Sequence, residues 1–160
     1  KTSRMSRFLA ILELLVLVTL SACSRPASEE IFIPVSGRDD FGRFAFAVDM
    51  SDSTSLYSVS LLTSFACRDR RFSSFRSMPL CIVWESPDGK LYEENVEIGR
   101  DEVREASYDK KIIYSPYRSH LKPVEYGIWN MYVKTPEDSL TKYKLYGMGI
   151  RVRREETEER

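Results

Sequence analysis

The chain has 160 residues, with 24 basic and 24 acidic side chains, 42% hydrophobic residues and 12% aromatic ones. This charge balance gives nucleic acid no electrostatic reason to bind, and the apolar content excludes a disordered stalk. No repeat is visible, and the length suits one domain with its own core rather than two.

The first charged residues, Lys1, Arg4 and Arg7, precede a mostly apolar run over residues 8–20 and the small residues Ser21 and Ala22. The run is too short to span a bilayer as a helix, so it reads as a secretory signal and not as a fold element. Leu20-Ser21-Ala22-Cys23 resembles a bacterial lipobox, which implies cleavage before Cys23 and a diacylglycerol on its thiol. Each buried methylene contributes about 0.8 kcal/mol of membrane affinity, so two or three acyl chains hold a soluble domain at a membrane. Residues 1–22 are therefore expected to be a signal peptide, and the membrane a partner through Cys23. Removing them takes away Lys1, Arg4, Arg7 and Glu13, which leaves 138 residues with a net charge near −2. Residues 23–30 are polar after the cysteine and predict a tether, in which Ser28, Glu29 and Glu30 carry a faint likeness to a surface-export signal.

Beyond the tether the dominant period is two. Phe44, Phe46 and Val48 alternate with Ala45, Ala47 and Asp49; Tyr57, Val59 and Leu61 with Ser58, Ser60 and Leu62; Leu80, Ile82 and Trp84 with Cys81, Val83 and Glu85. These are half-buried strands. Pro87-Asp88-Gly89 is a turn sequence, so residues 90–98 return as the second arm of a hairpin. Residues 100–106 are the one stretch that reads as potentially helical, and they lack an apolar stripe. Further strands are predicted over 126–134 and 143–153. Residues 31–154 are thus expected to form a single antiparallel β-sandwich, jelly-roll or immunoglobulin-like, with 155–160 a charged tail.

In the strand from residue 126, Trp129, Met131 and Val133 alternate with Tyr126, Ile128 and Tyr132, so both faces are apolar. If the Trp-Met-Val set faces outward it needs a cover, either residues 107–123 folded back over it or a protein partner. Cys67 and Cys81 are the two cysteines left after Cys23 is acylated, in an envelope that is oxidising. If 56–66 and 78–85 pair as antiparallel neighbours, a bridge between them is expected, closing a loop of about 14 residues and contributing about 3 kcal/mol. The alternative is two unlinked thiols acting as small hydrophobes.

An inventory of chemistry gives no catalytic, cofactor-binding or metal-binding set. His120 is the only histidine and sits in the loop-like Ser119-His120-Leu121-Lys122-Pro123. Glu93, Glu94 and Glu97 read as solvated strand charges, Asp39, Asp40, Asp49 and Asp52 as turn formers, and no phosphate-cradling glycine loop exists. No cofactor, metal or nucleic acid is expected.

Arg43-Phe44-Ala45-Phe46, the strand from Leu56 to Leu61, the segment from Phe72 to Leu80, Ser86-Pro87-Asp88-Gly89-Lys90, and Gly147-Met148-Gly149-Ile150-Arg151-Val152 resemble, in order and spacing, the gliding-motility lipoproteins of the GldH type from Bacteroidota. The likeness spans residues 43–153; Thr63 stands where that family often has arginine, and the stretch between Ile98 and Val124 is shortened. It implies a lipid-anchored envelope protein without enzymatic activity, meeting protein partners of motility or secretion machinery. A second class, a surface or periplasmic β-sandwich that binds glycan or peptide, would show exposed aromatic side chains lining one concave face.

Overall fold

The computed structural model describes residues 27–100 and 103–156; Cys23, the expected signal peptide and the end of the charged tail lie outside the described residues. The strands are β1 (Ser28–Pro34), β2 (Phe44–Asp49), β3 (Ser55–Phe65), β4 (Ser77–Glu85), β5 (Leu91–Gly99), β6 (Val103–Ala106), β7 (Lys111–Leu121), β8 (Ile128–Lys134) and β9 (Leu145–Glu156). Two short helices, α1 (Asp69–Phe72) and α2 (Glu137–Lys142), lie in connections. One sheet has the order β1-β9-β3-β7-β6 and the other β2-β8-β4-β5, all neighbours antiparallel.

The protein is an all-β sandwich. Its chain changes sheet at almost every connection, keeping to one sheet only from β4 to β5 and from β6 to β7. With β6 set aside as an added edge strand, the two orders are those of a jelly roll. In an immunoglobulin sandwich the first two strands share a sheet, whereas β1 and β2 lie in opposite ones.

Period-two alternation is what buries the core. Phe44, Phe46 and Val48 of β2 point inward, as do Leu80, Ile82 and Trp84 of β4, and they meet Tyr57, Val59 and Leu61 of β3 and Met148, Ile150 and Val152 of β9. Trp129, Met131 and Val133 belong to this inward set, so the expectation that they face outward, under residues 107–123 or a protein partner, is overturned. The opposite sheet itself covers them, and Ile128 and Tyr126 are the exposed side chains.

Three further elements differ from the expectation. Residues 103–106 are strand, because β7 offers them an unpaired edge at Lys111, Ile112 and Ile113. Residues 111–121 form a strand in the sheet of β3, where the expectation was a segment folded back over the Trp129 face, loop-like from Ser119. The tether is shorter than residues 23–30: Ser28, Glu29 and Glu30 pair with Arg153, Val152 and Arg151, and Glu30 also holds the Arg151 guanidinium at 2.8 Å. Polar residues take strand form here because the edge of β9 supplies the hydrogen bonds.

The strand starts at Ser28 and Ser55 and the strand ends at Asp49, Glu85, Leu121 and Glu156 lie at one end of the sandwich, called the near end below. At the far end Phe65, Phe72, Phe75 and Tyr143 form an aromatic cluster with ring centroids 5.1–6.3 Å apart.

Gly147 and Gly149 are required by a close approach. Phe32 lies across them on the outer face and stacks on Tyr146 at 6.0 Å. A β-carbon at 149 would sit 2.7 Å from the Ile31 carbonyl oxygen and 3.2 Å from the Phe32 ring; one at 147 would meet the Ile33 carbonyl oxygen at 2.5 Å. Both backbone contacts belong to the β1–β9 ladder and cannot rotate away. Gly147→Ala and Gly149→Ala are each expected to lower stability by about 1–3 kcal/mol, read by denaturant unfolding, with the residue 147 change the more costly.

Candidate functional site

The near end carries a cleft of about 210 Å³ between the start of β5 and the end of β7. It exists because β6 is short: β6 pairs only with residues 111–113 of β7, and Pro116, which has no N–H to donate, lies beyond it on the unpaired edge. Register shifts between Tyr57, Val59 and Ser60 and their β7 partners then bend β7, and His120 takes a positive φ of 52°. The end of β7 is therefore free of the next strand.

Three aromatic rings build the cleft. Trp84 from β4 and Trp129 from β8 meet edge to face at 6.3 Å, and Tyr92 from β5 lies 5.9 Å from Trp129. Both tryptophans are nearly buried, while Tyr92 is 45% exposed. The indole N–H groups point into the protein: that of Trp84 donates to the Tyr117 hydroxyl at 2.9 Å, and that of Trp129 to the Glu125 carbonyl at 2.9 Å. Tyr117 in turn donates to Glu94 Oε1, whose other oxygen pairs with Arg118. Burial pushes the Tyr117 phenol well above its ordinary range, and the Glu94 carboxylate that accepts its proton adds to the effect. Leu121, Lys122, Pro123 and Val124 close the rim. The cleft thus offers apolar walls with an ion pair at one side, suited to binding an apolar group or one face of a ring.

The carboxylates and the histidine each engage a different neighbour. Glu93 accepts the Cys81 thiol, Glu97 pairs with Ser77, and Glu85 accepts the Tyr132 hydroxyl at 2.8 Å. Asp39 accepts the backbone N–H groups of Phe41 and Arg43, and Asp52 those of Thr54 together with the hydroxyls of Thr54 and Ser55. These bonds hold the Asp52 carboxyl down at about 2. His120 is 73% exposed at its side chain and lies 3.5 Å from Glu155. Among the described residues no group of three or more His, Cys, Asp or Glu side chains is placed to hold a metal ion.

Cys67 and Cys81 are both free thiols, which overturns the expected bridge. Its premise was that the strands preceding and containing them are neighbours, and β3 and β4 lie in opposite sheets. Cys67 belongs to the core, whereas Cys81 sits on the outer face of β4. At the far end Cys67 borders a second, larger hollow of about 650 Å³ with Arg68, Arg70, Arg71, Asp109 and Lys144. Sequence reasoning placed Tyr117 in the covering segment 107–123 but missed its bonds to Trp84 and Glu94, and missed the exposed rim. The signal for Tyr117 was its place two residues after Ser115 on an alternating stretch, hidden by Pro116.

No protein-family model matches the chain, and no curated protein matches it. Among solved structures, a crystallised protein from Sulfurospirillum deleyianum is 12% identical, covering 84% of this chain and 100% of its own length, with a TM-score of 0.38. The infectious bursal disease virus Gx strain structure is 11% identical, covering 83% of this chain and 38% of that chain, with a TM-score of 0.16.

Two outcomes are expected. Under denaturant without reductant, both thiols should alkylate, read by intact mass; in the folded protein Cys67 should resist, since burial both hides it and raises its pKa. For Tyr117, the folded-state pKa is raised above the unfolded value of 10.0, so its contribution is complete below that pH and declines as pH rises past it. Chemical unfolding between pH 9 and about 11 should show stability falling, and Tyr117→Phe should make that fall shallower.

Proposed function

We propose that this chain is a non-enzymatic, lipid-anchored protein of the cell envelope, held at Cys23 and contributing its jelly-roll domain to an assembly of the gliding-motility or associated secretion type. The observation that supports the non-enzymatic part is that Glu85, Glu93, Glu94, Glu97, Asp52 and His120 each engage a different structural neighbour. Acid–base and nucleophilic chemistry require two or more such groups converging on one reacting atom. The envelope part is supported by the lipobox-like residues Leu20 to Cys23, and the assembly by the resemblance over residues 43–153. A glycan- or peptide-binding module is the second reading. Tyr92 favours it as the one substantially exposed ring of the cleft.

Replacing Cys23 with alanine is expected to move the protein out of the detergent phase and abolish acyl labelling. Unchanged partition would exclude the anchor. Affinity capture of the acylated protein from its own envelope should then recover motility or secretion components, whereas recovery on immobilised glycan, abolished by Tyr92→Ala, would favour the second reading.

A further inference from the structure

Nine large hydrophobic side chains are exposed among the described residues, and five of them gather at the near end: Leu91, Tyr92, Val124, Tyr126 and Ile128. Val124, Leu91 and Ile128 are 75%, 66% and 60% exposed. The five surround one corner. Val124 and Tyr92 line the cleft, Leu91 adjoins Tyr92, and Tyr126 and Ile128 flank Gly127, whose backbone exchanges hydrogen bonds with Met50. The ion pair of Lys90 with Glu125 ties the two segments that carry them.

The chain enters the domain at the same end. Ser28 and Asp49 border one groove, and Asp49 faces Ile128 across the β2–β8 ladder. Between Cys23 and Ser28 lie only residues 24–27. Even fully extended, that segment reaches roughly 17–18 Å. An acylated Cys23 therefore holds the near end, the end that carries the apolar corner, within that distance of the bilayer.

We propose that this corner is a second membrane contact, in which Leu91, Val124 and Ile128 enter the bilayer interface and Tyr92 and Tyr126 sit at headgroup level, so that the domain stands on its near end. The occupant is lipid, because aliphatic side chains flanked by tyrosines match the interfacial region. Charge is a minor contributor: Lys90 is paired with Asp88 at 2.6 Å and Glu125 at 3.2 Å, and Arg118 with Glu94, which leaves Lys122 as the rim's one cation outside the ion pairs among the described residues. Zwitterionic lipid should suffice. The proposal rests on acylation at Cys23, which supplies the affinity that five side chains alone lack.

The test compares the processed, acylated chain on phosphatidylcholine vesicles with a non-acylated chain of residues 23–160 carrying Cys23→Ser, by amide hydrogen exchange. Residues 86–92 and 121–128 should exchange several-fold more slowly on vesicles at low and high salt alike, with 66–76 and 107–110 at the far end unchanged. Val124→Asp with Ile128→Asp, both at exposed positions, should abolish that protection while the protein still floats with vesicles. Equal exchange at the near end in a floating wild-type protein overturns the second contact and leaves the anchor standing. Failure of the wild-type chain to float overturns both.

Discussion

A two-sheet sandwich is open at its ends, and closing those ends with aromatic side chains is the constraint from which the rest of this molecule follows. At the far end Phe65, Phe72, Phe75 and Tyr143 close it with almost purely apolar rings. At the near end Trp84 and Trp129 do the same, yet each brings an N–H that needs an acceptor once buried. Trp129 finds the Glu125 carbonyl; Trp84 finds Tyr117. Tyr117 then requires an acceptor for its own proton, which is Glu94, and Glu94 draws Arg118. The ion pair beside the cleft is therefore the outermost link of a chain that begins with a packing requirement.

Pro116 decides where that chain meets water. A strand residue without an N–H is tolerated only where no neighbour needs the bond, and β6 stops short of it. Had β6 run the length of β7, residues 117–121 would be covered and the cleft would be closed. The same shortness leaves the loop after β7 as rim, carrying Lys122, Pro123 and Val124. One proline and one short strand thus set both the opening and the apolar character of its border.

The strands that alternate cleanly, β2, the first half of β3 and β4, were legible from sequence because each buries one face and leaves the other more open, and β5 was legible from the turn at Pro87-Asp88-Gly89 before it. β1 was not: Ser28-Glu29-Glu30 has no apolar pattern, and its strand form is dictated by the edge of β9. β7 was obscured by Pro116 and by the bends near His120. The expected disulfide failed for a topological reason, since sequence neighbours pair in a meander but alternate sheets in a jelly roll. For Trp129, Met131 and Val133, pattern alone could not choose between two apolar faces. Position chose: β8 lies between β2 and β4, and the inward residues of both neighbours set its pleat.

The segments that carry the family resemblance are segments the fold itself demands. The Tyr57 hydroxyl accepts the Asp52 N–H at 3.1 Å and donates back to the Asp52 carbonyl, fixing the loop before β3. Gly89 adopts a φ of 85° in the turn that starts β5, a conformation open to few other residues. Gly147 and Gly149 yield room to Phe32. Each is a packing or turn requirement, so a sequence pattern of this kind speaks for the sandwich fold more directly than for any activity. What distinguishes this chain in use must then lie in side chains the fold does not need. On the near-end corner those are Leu91, Val124, Tyr126 and Ile128, which leave much of their apolar surface in water while the core beneath them is already closed by Trp84 and Trp129.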